Sequence, residues 1–262
     1  MARASNHKAV VAKAMGVSPK HLCRESVLEE KDTHLKDQIQ EVHRKHSSYG
    51  HRRVAWELGV NHKRTARVMK KFGIKPPRRK KLFYLTRSIY HHPYTNLIKD
   101  RLPERPNHIW VSDVSYVKYH GVFWYVATIE DVFTRRIMAV QVGKHHNQQL
   151  ILKTLNQAFE NTHQLPEYFH CDQGTEFMAK AVTDKVESKG IQISVSAKAS
   201  PWENGYKESF YGRFKEEFGD INRFDSESEL IEEIYSKVRY YNYERRHTAL
   251  KVSPMTFAQS FA

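Results

Sequence analysis

The sequence predicts a basic helical domain followed by a mixed α/β core of five strands with flanking helices. Three observations predict it. Apolar residues recur at helical spacing up to Phe72, then fall into short β-branched and aromatic runs after Asn107. Charge divides at the same place: residues 1–106 hold 25 Lys and Arg against 9 Asp and Glu, whereas residues 107–262 hold 18 against 20. Finally, the first three strand runs follow one another directly and the later ones alternate with helices, as in a meander followed by crossovers.

Residues 1–34 are polar and weakly patterned, with helical stretches allowed around 8–15 and 20–30. From Leu35 the signal sharpens, because Leu35, Ile39 and Val42 share one helical face. SSYG breaks that helix, and HRRVAWEL forms a short one ending at Gly59. Asn61 then caps HKRTARVMKKF, which Gly73 terminates. In this last helix Ala66, Val68, Met69 and Phe72 turn inward, and Lys63, Arg64, Arg67, Lys70 and Lys71 turn outward. Two short helices, the second strongly basic, make residues 47–73 a helix-turn-helix candidate for DNA. Arg78, Arg79, Lys80 and Lys81 follow two prolines and suit phosphate contact rather than base reading. The basic helical region thus spans 1–81, residues 82–106 read as a linker punctuated by prolines, and the core with a helical tail spans 107–262.

In the core, IWVSDVSYVKY, VFWYVATIED and RRIMAVQVG are strands. A helix follows at about 147–162, then the strand EYFHCD, a helix ending at Gly190, the strand IQISVS, a loop, and helices over 203–218 and 226–242. This is the element order of a ribonuclease-H-like fold. Two distant cysteines, Cys23 and Cys171, give no disulfide framework, and the histidines lack paired zinc-finger spacing. No run of about 18 apolar residues is visible, so a cytoplasmic protein is expected.

Three acids stand out. Asp113 interrupts an apolar strand, where a carboxylate is costly unless it is paired or holds a metal. Asp172 lies just past a strand end, a common ligand position in α/β sheets. Glu208 lies on the late helix. The intervals are 58 and 35 intervening residues. Oxygen-only ligands suit Mg²⁺ or Mn²⁺, and two such ions can assist in-line phosphoryl displacement. Lys215 is two helical turns beyond Glu208 on the same face and is a candidate phosphate contact, as are Asn204 and Lys207. Other acids have plainer readings. Asp131 caps a turn, Glu176 is close enough to Asp172 to sit near the site but reads better as a surface helix start, Glu203 favours a helix N-terminus, and Glu216 and Glu217 are solvated.

These segments resemble the OrfB-type transposases of the IS-three family of bacterial insertion sequences, which have a retroviral-integrase-like core. WVSDVSYV resembles the first-aspartate strand, HCDQGTEF the second-aspartate segment, and ENGYKESFYGRFKEE the stretch bearing the glutamate, with Lys215 at the basic position. SSYGHRRVAWEL with NHKRTARVMKKFGI resembles the upstream helix-turn-helix, and YNYERRHTALKVSPMTF the C-terminal end. Glu203, Gly205, Cys171 and Glu176 depart from the common residues, but no carboxylate ligand is lost. The resemblance implies a DDE transposase in which Asp113, Asp172 and Glu208 hold metal. It implies cleavage at transposon ends and strand transfer, on terminal-repeat and target DNA. It also implies an upstream-frame (OrfA-type) partner joined by frameshifting, a homo-oligomer on DNA, and a nucleoid-associated location. Two other readings are a DNA-binding regulator with an idle core and an RNase-H-like nuclease.

Overall fold

A computed structural model describes residues 13–14, 16, 27–77, 93–197 and 205–261. The chain divides into two compact units, Met1–Pro76 and Pro77–Ala262.

Among its described residues the first unit clusters three helices. Helix α1 covers Val27–Lys45, α2 His51–Leu58 and α3 His62–Lys71. Gly59 ends α2 at φ 65°, a left-handed conformation that glycine adopts without a Cβ penalty. Two residues later the Asn61 side chain accepts the Lys63 N–H at 2.8 Å and caps α3. Leu35, Ile39 and Val42 of α1 meet Tyr49, Val54, Val68 and Met69 in one buried cluster. The expected inward face of α3 is confirmed at Val68 and Met69, while Ala66 and Phe72 are half-buried.

The second unit is built on one five-stranded sheet in the order β3-β2-β1-β4-β5. Strands β1 (Ile109–Tyr119), β2 (Val122–Asp131) and β3 (Ile137–Gly143) form an antiparallel meander. Gly121, at φ 85°, turns the first hairpin. Helix α4 (Gln148–Glu160) leads to β4 (Tyr168–Cys171), parallel to β1, and α5 (Lys180–Glu187) leads to β5 (Gln192–Val195), parallel to β4. Asn147 caps α4 by accepting the Leu150 N–H. Helices α6 (Gly205–Phe218), α7 (Glu227–Tyr243) and α8 (Pro254–Gln259) complete the unit.

Each sheet face carries its own core, as alternation along β1 and β2 requires. On one face Trp110, Ala127 and Ile129 pack with Leu150, Ile151 and Leu155 of α4 and Val182 and Val186 of α5. On the other, Val117, Trp124, Val126 and Val140 pack with Phe210, Tyr211, Phe214 and Phe218 of α6 and Leu230, Ile234 and Val238 of α7. Of residues 93–106, expected within a linker, Thr95 and Leu97 lie on the free edge of β5. Thr95 O accepts the Val195 N–H at 3.0 Å, and Ser194 Oγ accepts the Leu97 N–H at 2.9 Å. Among the described residues no helix is long and apolar enough to cross a membrane.

Candidate active site

The parallel pairing of β1 with β4 assembles the first two acids. Its register sets Val111 against His170. Two residues further along each chain stand Asp113 and Asp172. On the antiparallel side, Asp113 faces Thr128 of β2. Asp113 therefore shares a sheet face with Val111 and Val117, as alternation predicts, and that face carries α6.

Each aspartate is oriented by main chain close in sequence. Asp113 Oδ1 accepts the Val114 N–H at 2.8 Å, and Asp172 Oδ1 accepts the Gly174 N–H at 2.9 Å. Burial raises the proton affinity of Asp172 above the ordinary carboxylate range. The Gly174 N–H and His146 oppose that rise, and the Glu176 charge adds to it. Neighbouring Cys171 is buried, and burial pushes its thiol well up, so it is no nucleophile.

Glu176 is not at a surface helix start. Its side chain is only 9% exposed, and His146 Nε2 lies 2.7 Å from its carboxylate. The reason is the tight turn after Asp172. There Gly174 O accepts the Phe177 and Met178 N–H groups, and the Glu176 side chain folds back over Gly174. His146 in turn stacks on Tyr125, with ring centroids 5.0 Å apart. The Glu176 hydrogen bond raises the proton affinity of His146, and Asp172 and Asp113 add smaller contributions. An imidazole of raised basicity thereby stands within the field of both aspartates. Sequence reading missed His146, because only the fold brings the end of β3 to the turn after β4.

Lys215 falls beside the pair. Its ammonium lies 4.8 Å from the centre of the Tyr116 ring. Burial lowers its proton affinity, and Asp113 partly restores it. The backbone of Glu208 lies in α6, two turns before Lys215. The side chains of Glu208 and Lys207, and Asn204 and Glu203 entirely, lie outside the described residues. Among the described residues no group of three or more His, Cys, Asp or Glu is assembled to hold a metal ion.

The remaining acids differ from one another. Asp131 caps its turn as expected, accepting the Thr134 N–H at 3.1 Å and the Asn107 N–H at 3.2 Å. Glu216 and Glu217 are not solvated. Their side chains are 7% and 9% exposed, and Arg245 Nε lies 2.7 Å from Glu217 Oε1.

In the first unit, the basic residues of α3 separate into two groups. Arg67 donates to both oxygens of Asp32 at 2.7 and 2.5 Å, and Lys71 reaches Glu29 at 3.0 Å and Asp32 at 3.4 Å. Asp32 itself is buried in α1. These two cations therefore hold α3 on α1. Lys63 and Lys70 are exposed, and Arg64 is exposed with one donor on Lys31 O at 3.2 Å. Arg78, Arg79, Lys80 and Lys81 lie outside the described residues.

Comparison with known proteins agrees with this layout. Two family models described as "Integrase core domain" match residues 103–201 and 189–254, and one described as "HTH-like domain" matches 29–81. A 31 kDa protein of insertion element IS600 from Shigella sonnei is 31% identical over 88% of this chain and 89% of its own length. A putative transposase for insertion sequence element IS986/IS6110 from Mycobacterium tuberculosis is 31% identical, covering 75% of this chain and 76% of its own. The chain belongs to the insertion-sequence transposases. It is a DNA transposase with an integrase catalytic core and an HTH-like DNA-binding domain. A chain of the simian T-cell lymphotropic virus intasome, solved with PP2A regulatory subunit B56 gamma, aligns over 84% of this chain and 74% of its own. Its TM-score is 0.51 at 15% identity, which marks a shared fold.

Proposed function

We propose that this transposase cuts DNA at the ends of its mobile element and joins the freed 3′ ends to target DNA, with Asp113, Asp172 and Glu208 as catalytic carboxylates. The observation that carries the reading is the β1–β4 register, which sets Asp113 within β1 level with Asp172 just past the end of β4. The donor set fits a hard divalent cation: the acids are oxygen ligands, and burial makes the charge of Asp172 costly unless a cation balances it. Two Mg²⁺ or Mn²⁺ ions held by the three acids would supply an activated oxygen nucleophile and stabilisation of the leaving oxygen.

In the first step water attacks phosphorus at the element end. The P–O3′ bond breaks, and the leaving oxygen departs as a 3′-OH. In the second, that 3′-OH attacks a target phosphodiester, and the displaced 3′ oxygen leaves. Asp113 and Asp172 would hold the divalent cations beside the reacting phosphate, and their N–H partners fix their rotamers. Lys215 contacts a phosphate beside the acids. Lys63, Arg64 and Lys70 engage DNA from the first unit, together with Arg78, Arg79, Lys80 and Lys81. Asn204 and Lys207 extend the contact in the core. The chain acts as an oligomer on DNA, fused to or aided by an upstream-frame partner, in the cytoplasm near the nucleoid.

The test is Mg²⁺-dependent 3′-end cleavage of terminal-repeat DNA with Glu208→Gln. Loss of cleavage with retained DNA binding is expected, and full activity would sink the assignment. DNA binding by wild type with no cleavage in Mg²⁺ or Mn²⁺ would favour a regulator. Cleavage of RNA–DNA hybrids without strand transfer would favour an RNase-H-like nuclease.

A further inference from the structure

We infer that Tyr211 is a positioning residue, whose buried hydroxyl fixes the helix bearing Glu208 to the strand bearing Asp113. The inference rests on the catalytic reading of those two acids.

Tyr211 is 5% exposed, and its hydroxyl reaches the sheet at the level of the acid. The oxygen lies 2.9 Å from Asp113 O, 2.8 Å from Val126 O and 2.9 Å from Thr128 Oγ1. The Ser115 N–H also serves it. Val126 and Thr128 belong to β2, and Thr128 is the cross-strand partner of Asp113. One phenolic oxygen therefore joins α6 to two strands at the point where the first acid projects. Packing does not require this hydroxyl. Phe210, Phe214 and Phe218 fill the same buried helix face as hydrocarbon rings, and a phenyl ring at 211 would fill it too. A polar atom placed among carbonyls in a dry core gains its stability from direction, because misalignment leaves buried acceptors unmade.

The lever is short. Glu208 is one helical turn before Tyr211, about 4.5 Å along the axis. Holding Tyr211 against β1 therefore sets the height of the Glu208 backbone relative to Asp113. A helix held only by apolar rings can slide or roll by a fraction of a turn, since hydrophobic contact is non-directional.

Tyr119 provides a matched control. It is buried on the same strand and face, six residues on, and its hydroxyl donates to Phe224 O at 3.0 Å, far along the strand from the acids. The experiment compares Tyr211→Phe, Thr128→Val and Tyr119→Phe in the full chain. It measures kcat for end cleavage, DNA Kd, Tm and the Mn²⁺ concentration for half-maximal cleavage. Tyr211→Phe is expected to lower kcat about 10- to 100-fold and raise the Mn²⁺ requirement, with DNA Kd within about twofold. Thr128→Val should move both readouts the same way by less, and it carries the test should Tyr211→Phe not fold. Tyr119→Phe should lower Tm and leave kcat and the Mn²⁺ requirement unchanged. The inference is overturned by wild-type kcat and Mn²⁺ dependence in Tyr211→Phe while Glu208→Gln is dead. It is equally overturned if Tyr119→Phe shows the same catalytic loss. Full activity in Glu208→Gln would instead remove the catalytic reading beneath it.

Discussion

Gly174→Ala tests whether the turn after Asp172 is a rigid mount. A Cβ built at Gly174 would lie 2.7 Å from Glu176 Cδ, with both carboxylate oxygens also under 3 Å. Ordinary carbon contacts begin near 3.5 Å, so the Glu176 carboxylate must move by about 1 Å. That carboxylate is nearly buried and held 2.7 Å from His146, so the shift breaks the ion pair or displaces the turn. Either way the Gly174 N–H that orients Asp172 Oδ1 is disturbed. Overpacking of this kind costs about 1–3 kcal/mol of stability, and a 1 Å error at a reacting group costs about 100-fold in rate. The assay pairs thermal unfolding with single-turnover end cleavage, and it includes Glu176→Ala and the double variant. Because Glu176→Ala removes the clashing group, the double variant should cleave faster than Gly174→Ala alone, a coupling of opposite sign to simple additivity. Wild-type cleavage by Gly174→Ala would refute the rigid mount, and strict additivity would refute the clash as its cause.

Three other outcomes follow from particular contacts. Burial raises the Asp172 pKa, so its charge opposes folding. Stability from this group is present below the unfolded carboxylate pKa near 3.8 and is lost as pH rises through the raised folded value. Asp172→Asn in chelator should therefore raise Tm at pH 7 and change it little at acid pH. A divalent cation should raise Tm of wild type more than of Asp172→Asn, as differential scanning fluorimetry would report. Glu217→Ala strands the buried Arg245 guanidinium and should cost roughly 3 kcal/mol in urea unfolding, whereas Glu217→Leu with Arg245→Met should cost far less. In the first unit, Lys63→Ala or Lys70→Ala should lower the salt slope of DNA binding by about 1 with Tm unchanged. Arg67→Ala should lower Tm, because it removes the two-bond partner of buried Asp32 and leaves it only the longer contact to Lys71. An unchanged Tm for Arg67→Ala would show that the pair does not hold α3 to α1.

Much of this layout was legible because the signals are local. The β1 run, the Asn61 cap and the Gly59 stop each act within a few residues, so pattern reading finds them. The short helix α8 went unread although Ser253 caps it and Pro254 opens it, a recognised start signal. Charges were read less well. Arg67 and Lys71 looked free to meet DNA, Glu176 looked like a surface helix start and Glu217 looked solvated, yet each has a partner far away in sequence. Residues 93–106 looked like linker because the bonds that tie Thr95 and Leu97 to β5 cross about 100 residues of chain and leave no local pattern.

By itself the sequence determined the order of elements and the split between a basic helical unit and an α/β core. Periodicity and caps encode these, and both are properties of neighbouring residues. Only the tertiary structure decided which cations serve the fold rather than DNA, that His146 and Glu176 brace the Asp172 turn, and that Tyr211 ties α6 to Asp113. Those are contacts across 30 to about 100 residues of chain, set by strand register and helix docking. No local pattern records them, because a charge or a hydroxyl has the same sequence signature whether its partner is water or a distant side chain.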